Sequence, residues 1–462
     1  MARKSRHASS AHPTVQALER RVLLDGTSLE VKLGDQTGDQ GTVFHYHDDD
    51  GTHIYGRYSK GSTTFEFSGA GLYVAYMKTT VCIYGTHITL TSIQINDGGP
   101  TSTLSFSASG GDKLGTIGQI NSSVSVGNFL APNMQLTGPM TFNDVNTFNI
   151  GSTLGATLNF TGMTPITKFT AGSMVDTTVT STVPIASYSV KDWSHLSLTP
   201  SYGLTAPSLG KFSIGGDYSE GLKLTGGSGQ VLDNAMIKGT LGGNWNVAGN
   251  SWYTGAYRVD PGYHLVQAGY NETFKAKLDA GGTYDVGAFG QFSVGGNLTG
   301  AHFNLNYPYT STGFDMEKFS VRGTVSGLDY TSVGSLGTLK FGYLLDSTID
   351  LGANSLPPLT LATDGNLVNH SWMNSFTISK TFQNSFVSAN DFTKIKLGTI
   401  VTDNNGLGYG FAGTQFGSLS GKTDLGQSLK ISNLPGSLSY QQQLDEKHVN
   451  PGDFKVSLLT QF

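Results

Sequence analysis

Three phrases recur along the chain: Lys211-Phe212-Ser213-Ile214-Gly215-Gly216-Asp217-Tyr218, Gln291-Phe292-Ser293-Val294-Gly295-Gly296-Asn297-Leu298 and Lys318-Phe319-Ser320-Val321-Arg322-Gly323-Thr324-Val325. A segment that returns in this way is one structural unit repeated. Within each phrase apolar and polar residues alternate ahead of a glycine, the period of a strand with one buried face and not of a helix.

Looser copies lie between them, among them Thr147-Phe148-Asn149-Ile150-Gly151, Lys168-Phe169-Thr170-Ala171-Gly172, Ser187-Tyr188-Ser189-Val190, Thr338-Leu339-Lys340-Phe341-Gly342, Ser375-Phe376-Thr377-Ile378 and Lys394-Ile395-Lys396-Leu397-Gly398. Phe148, Phe169 and Tyr188 are 21 and 19 residues apart, and Phe319 and Leu339 are 20 apart, so the base period is near twenty. The 80 residues from Phe212 to Phe292 read as four periods, and Leu339 to Phe376 as one period with a loop inserted. A unit of this size cannot bury its own apolar face, so copies must stack on a shared core. The fold class expected is all-β: a single-stranded parallel β-helix, with right-handed crossings as the default. With the inserted loops set aside, roughly 14 rungs fit between Ser105 and Gly436, which gives a rod on the order of 70 Å at about 4.8 Å per rung.

Composition agrees. Gly accounts for 62 of 462 residues and charged residues for only 13%, as tight turns and few surface helices require. The net charge of -5 gives no basic footprint for duplex nucleic acid. No run of about 18 apolar residues is present to span a membrane as a helix. The single cysteine, Cys82, lies in the apolar run Val81-Cys82-Ile83-Tyr84 and reads as a small buried hydrophobe, which excludes an internal disulfide.

Residues 1–26 are basic, with Arg3, Lys4, Arg6, Arg20 and Arg21, and read as a leader segment lacking the apolar stretch of an ordinary secretory signal. Within it, Leu18-Glu19-Arg20-Arg21-Val22-Leu23-Leu24-Asp25-Gly26 resembles the Leu-Glu-Pro-Arg-x-Leu-Leu motif of exported or surface repeat proteins of planctomycete-type bacteria, with Arg20 where those proteins usually have Pro. The resemblance implies export and an extracellular or cell-surface location; it supplies no catalytic residues.

Residues 27–95 read as a β-hairpin cap over the N-terminal end of the solenoid, because an open terminal rung would expose core and strand edge. Asn96-Asp97-Gly98-Gly99-Pro100 marks the break before the repeats, which run over 96–440, and residues 441–462 read as a closing cap with a final strand at Phe454–Leu458.

Candidate chemistry is sparse. Asp217, Asn297 and Thr324 occupy equivalent positions in the three phrases, so no acidic ladder forms there. Asp329, Asp346 and Asp350 fall in turn-like sequence and read as solvated carboxylates. Around the turn Asp48-Asp49-Asp50-Gly51, His45, His47, Asp48 and Asp50 form the densest set of metal-ligand types, with His53 across the hairpin, compatible with a divalent site or with Ca²⁺. Ca²⁺ is the one cofactor this suggests, and a plain exposed turn is the competing reading. Trp245, Trp252, Tyr253 and Tyr257 lie in an insert spanning about Gly242 to Tyr270 and are carbohydrate-stacking candidates. The expected function is a non-enzymatic surface or extracellular-matrix protein, a rigid stalk or adhesive scaffold whose partners are polysaccharide or cell-envelope components. The alternative is a polysaccharide-binding or polysaccharide-degrading protein, lyase or glycoside hydrolase, on the same scaffold.

Overall fold

The structure is a computed structural model that describes residues 22–195, 202–226, 231–247, 270–276, 280–286, 288–305, 314–352, 357–436 and 439–460. It is a β-solenoid of about 12 stacked parallel turns. At about 4.8 Å per rung these make a stack on the order of 60 Å.

Each coil contributes to three parallel ladders whose registered columns are apolar and, where side-chain burial is described, lie in the core. The first runs Phe148, Phe169, Tyr188, Phe212, Ala235, Phe274, Phe292, Phe319, Leu339, Phe376, Ile395, Leu419 in register. The second passes through single bridges at Trp193, Tyr218, Leu241, Ala280 and Leu298, then widens through Val325, Leu344, Phe382 and Ile400. The third joins Leu158, Val179, Leu204, Leu222, Trp245, Tyr284, Phe303, Tyr330, Ile349, Val387, Phe411 and Val456.

Parallel in-register stacking places like side chain on like, so aromatic columns stack face to face. Phe148 and Phe169 have ring centroids 5.0 Å apart, and Phe169 and Tyr188 4.3 Å at 8°. At the corner after the first ladder the backbones approach too closely for a side chain: a Cβ on Gly172 would meet the carbonyl oxygen of Gly151 at 2.3 Å. Side chains also tie coil to coil at turns. Asp217 accepts from the Thr240 N–H at 2.6 Å and Asn297 from the Thr324 N–H at 2.8 Å, so the recurrent Asp/Asn of the phrases clamps the following rung.

The turn count is lower than the period suggests, because the interval from Phe212 to Phe292 holds three coils and not four. One coil alone spans Ala235 to Phe274. Leu339 to Phe376 is likewise one coil, enlarged by the segment ahead of Trp372.

The N-terminal zone is an antiparallel meander continuous with the solenoid. Val22–Gly34 pairs with Ser62–Met77, which pairs with Thr80–Asp97, and Val43–His47 forms a hairpin with His53–Tyr58. Within this zone Val43–His47 also runs parallel to Thr80–Asp97, and the stacking continues into the solenoid where Leu90 and Ile93 align with Ile117 and Ile120. Cys82 is fully buried here, as its apolar setting requires.

At the other end Ser428–Leu434 turns back antiparallel along Gln415–Thr423. A six-residue helix, Tyr440–Asp445, follows, closed by a capping box between Ser439 and Gln442. Its Gln443 amide accepts from the Ser432 N–H at 3.0 Å and donates to the Ser432 carbonyl at 3.1 Å, satisfying a strand edge that would otherwise be open. Phe454–Leu458 then adds a last parallel strand beside Tyr409–Gly413.

Phe292 is fully buried between Phe303 and Phe319, at centroid distances of 5.0 and 5.4 Å. Phe292→Ala is expected to lower stability by about 3–5 kcal/mol through lost burial plus a cavity, measurable by denaturant unfolding. A loss below about 1 kcal/mol would mean that the column does not carry the fold.

Candidate functional site

The residues singled out around the first hairpin separate into two groups. His47 lies directly opposite His53, and His45 opposite Tyr55. The imidazoles pack against one another, His47 on His53 at a centroid distance of 3.5 Å and His45 on His53 at 6.1 Å. Burial and the neighbouring rings hold His45 below the ordinary imidazole range.

The aspartates instead close the turn. The Thr52 N–H donates to Asp48 at 2.9 Å and to Asp50 at 2.8 Å, and the Asp112 N–H donates to Asp50 at 2.8 Å. Burial and a hydrogen bond to Asp50 push Asp48 up to about 6. Asp48, Asp49, Asp50 and Asp112 line a groove of about 430 Å³ that neither His45 nor His47 enters. Among the described residues no three His, Cys, Asp or Glu side chains are grouped to hold a metal; Asp48 and Asp50 accept within the turn from Thr52 and Asp112, and Asp49 Oδ2 lies 2.7 Å from His87 Nδ1.

Trp245 requires a correction. It belongs to the third ladder, between Leu222 and Tyr284, and is 1% exposed. Its ring packs into the core and offers no stacking face, because Asn244–Val247 is a solenoid strand and not part of an insert. Trp252, Tyr253 and Tyr257 lie outside the described residues.

Asp350 also departs from expectation. It is 2% exposed, in a strand, Thr348–Leu351, buried on both faces. The outer face is covered by the segment before Trp372, whose Leu359 N–H donates to Thr348 Oγ1 at 2.7 Å and whose Ala362 and Leu367 pack on Ala412. Burial pushes Asp350 up to about 7, opposed in part by the neighbouring Ser388 hydroxyl. Asp315, 1% exposed, accepts from the Ser332 hydroxyl at 2.5 Å and the Gly334 N–H at 2.7 Å, and is likewise pushed up to about 7 by burial. Asp346 is exposed, and Asp329 is bonded to His302 Nδ1 at 2.9 Å.

A second ionisable cluster spans three coils at one corner: His195 Nδ1 lies 3.4 Å from Asp176 and 3.5 Å from Glu220, which is 4% exposed. Burial raises Glu220 while His195 lowers it. The imidazole thus lies between carboxyls of the rungs on either side of its own.

A groove of about 630 Å³ lies at the C-terminal end of the first ladder. Trp372, Asp391 and Gln415 occupy one column on successive coils. The Trp372 ring is half-buried, braced edge-on by Phe314 at 5.8 Å. His370 Nε2 lies 3.2 Å from Asp391 Oδ2, and Thr414 Oγ1 donates to Asp391 Oδ1 at 3.3 Å. Asn433 and Pro435 form the far wall. The arrangement is a fixed indole with an imidazole on its own coil and carboxylate and amide groups one and two rungs away, able to stack on an apolar face while exchanging hydrogen bonds with hydroxyls. Asp391 is the one carboxylate among the described lining residues.

Sequence reasoning missed this groove because Trp372 lies four residues ahead of Phe376, with Met373 also buried, so simple alternation fails at this corner. The same three-residue step recurs between Phe392 and Ile395 and between Phe416 and Leu419, and that step was the available signal. Comparison of the chain with family models, curated proteins and solved structures returned no match.

Asp315 and Asp350 set a pH dependence. Unfolded, they ionise near pH 4; folded, each keeps its proton up to about pH 7. Across that window the native chain binds more protons, so stability falls as pH rises and levels off above about 7. The expected loss is on the order of 2–4 kcal/mol for each carboxyl. The melting temperature should be higher at pH 5 than at pH 8, and Asp315→Asn with Asp350→Asn should flatten the slope; an unchanged slope in the double variant refutes the assignment.

Proposed function

We propose that the chain is a rigid, non-catalytic β-solenoid scaffold of a cell surface or extracellular matrix, adhesive through carbohydrate recognition at the Trp372 groove. The observation that carries this reading is the column of Trp372, Asp391 and Gln415, in which an indole held by packing adjoins hydrogen-bonding groups at fixed rung spacing. Rigidity favours it, because a ladder-bonded wall presents these groups with little ordering cost on binding. A single carboxylate among the described lining residues of the groove favours binding over hydrolysis, which ordinarily uses a pair flanking the scissile bond. Placement outside the cell follows the likeness of Leu18 to Gly26 to the motif of exported repeat proteins.

Titration calorimetry of the full chain against neutral oligosaccharides tests the reading. Trp372→Ala is expected to weaken binding roughly tenfold, or about 1.4 kcal/mol, with the melting temperature preserved because the ring is only half-buried. New reducing or unsaturated ends in the same mixtures would establish a degradative activity in place of the scaffold role, and affinity unchanged in the variant would remove the groove from it.

A further inference from the structure

The outer face of the first ladder carries a pattern that net charge conceals. In register on successive strands lie Lys340, Thr377, Lys396, Ser420 and Lys430. The three lysines are exposed, and none forms an ion pair with a carboxylate among the described residues. Cation and hydroxyl alternate rung by rung, so the ammonium groups recur about every 10 Å, two strand spacings. Beside them, Lys318, Ser320, Arg322, Lys340 and Ser379 line a groove of about 370 Å³ that holds no acidic residue. A chain of net charge -5 thus keeps an unneutralised cationic stripe on one wall.

We propose that this stripe is a binding track for a linear acidic polysaccharide whose charged and neutral units alternate. The proposal rests on the reading of the solenoid as a glycan-binding scaffold and names the charge of the polymer. Spacing favours such a ligand over nucleic acid, in which a phosphate recurs about every 3.4 Å along each strand, and the column has no aromatic side chain on which bases could stack. Hydroxyls between the lysines suit a partner that is itself hydroxyl-rich between charges. An anionic membrane would be met by an apolar anchoring stripe, whereas Leu339, Phe341, Phe376, Ile378, Ile395 and Leu397, which flank the lysine column on these strands, are buried in the core. With a screening length of about 8 Å at physiological salt, lysines so spaced repel one another weakly and persist without counter-acids.

The test uses the full chain with hyaluronate as an alternating acidic glycan, dextran and neutral oligosaccharides, oligothymidylate, and phosphatidylserine vesicles. Hyaluronate is expected to bind with an affinity that falls as salt rises. Lys340→Ser, Lys396→Ser and Lys430→Ser together are expected to weaken it at least tenfold, with the melting temperature unchanged because small hydroxyl residues, Thr377 and Ser420, already occupy the intervening rungs. The corresponding triple change to Arg is expected to retain binding, separating charge from any folding defect. Equal affinity in the serine variant, no hyaluronate binding, or tighter binding of oligothymidylate or vesicles would overturn the proposal. Neutral-sugar binding that depends on Trp372 without hyaluronate binding would sink the track and leave the groove standing; hyaluronate binding lost in the serine variant without neutral-sugar binding would do the reverse.

Discussion

Everything in this protein depends on in-register parallel stacking. A coil of about twenty residues has one apolar face and no partner for it within itself, so it is stable only against its neighbours. Hydrogen bonds between strands fix the register, and the register superposes like residues. The inward columns therefore become continuous: Phe129, Phe148, Phe169 and Tyr188 stack with successive centroid distances of 5.1, 5.0 and 4.3 Å. The same rule acts outward. Trp372, Asp391 and Gln415 form one column and Lys340, Thr377, Lys396 another, so a recognition surface arises as a by-product of the arrangement that builds the core.

A stack of this kind has two vulnerable ends and a long wall, and the chain treats them differently. At the N-terminal end strand direction changes from antiparallel to parallel within Thr80–Asp97, which pairs one way with Ser62–Met77 and the other with Gly115–Leu136. At the C-terminal end the antiparallel return of Ser428–Leu434 and the Gln443 amide occupy the edge. Along the third wall the segment around Ala362 and Leu367 covers Asp350. That burial makes a carboxyl part of the interior, where it is stable in its neutral form.

Much of the fold was legible in the sequence. The recurring phrases gave the period, the alternation gave strands, and the two together leave only a stacked solenoid. The roles of Phe148, Phe169, Tyr188 and Phe319 follow from parity alone. Parity failed where a corner adds a residue, which hid Trp372, and where an insert lies inside a coil, which turned three coils between Phe212 and Phe292 into four. Trp245 was read with the insert because its strand, Asn244–Val247, is only four residues long and too short to declare its period.

The sequence by itself determined the repeated unit, the inward apolar set and the impossibility of an isolated rung, because these follow from side-chain period and local turn chemistry. The tertiary structure alone decided which outward residues become neighbours. Lys340 and Lys396 are 56 positions apart in the chain and two rungs apart in space, and His370 reaches Asp391 across a coil. Coil lengths vary with their loops while strand registers do not, so lateral neighbours are set by hydrogen-bond register and cannot be counted off along the chain.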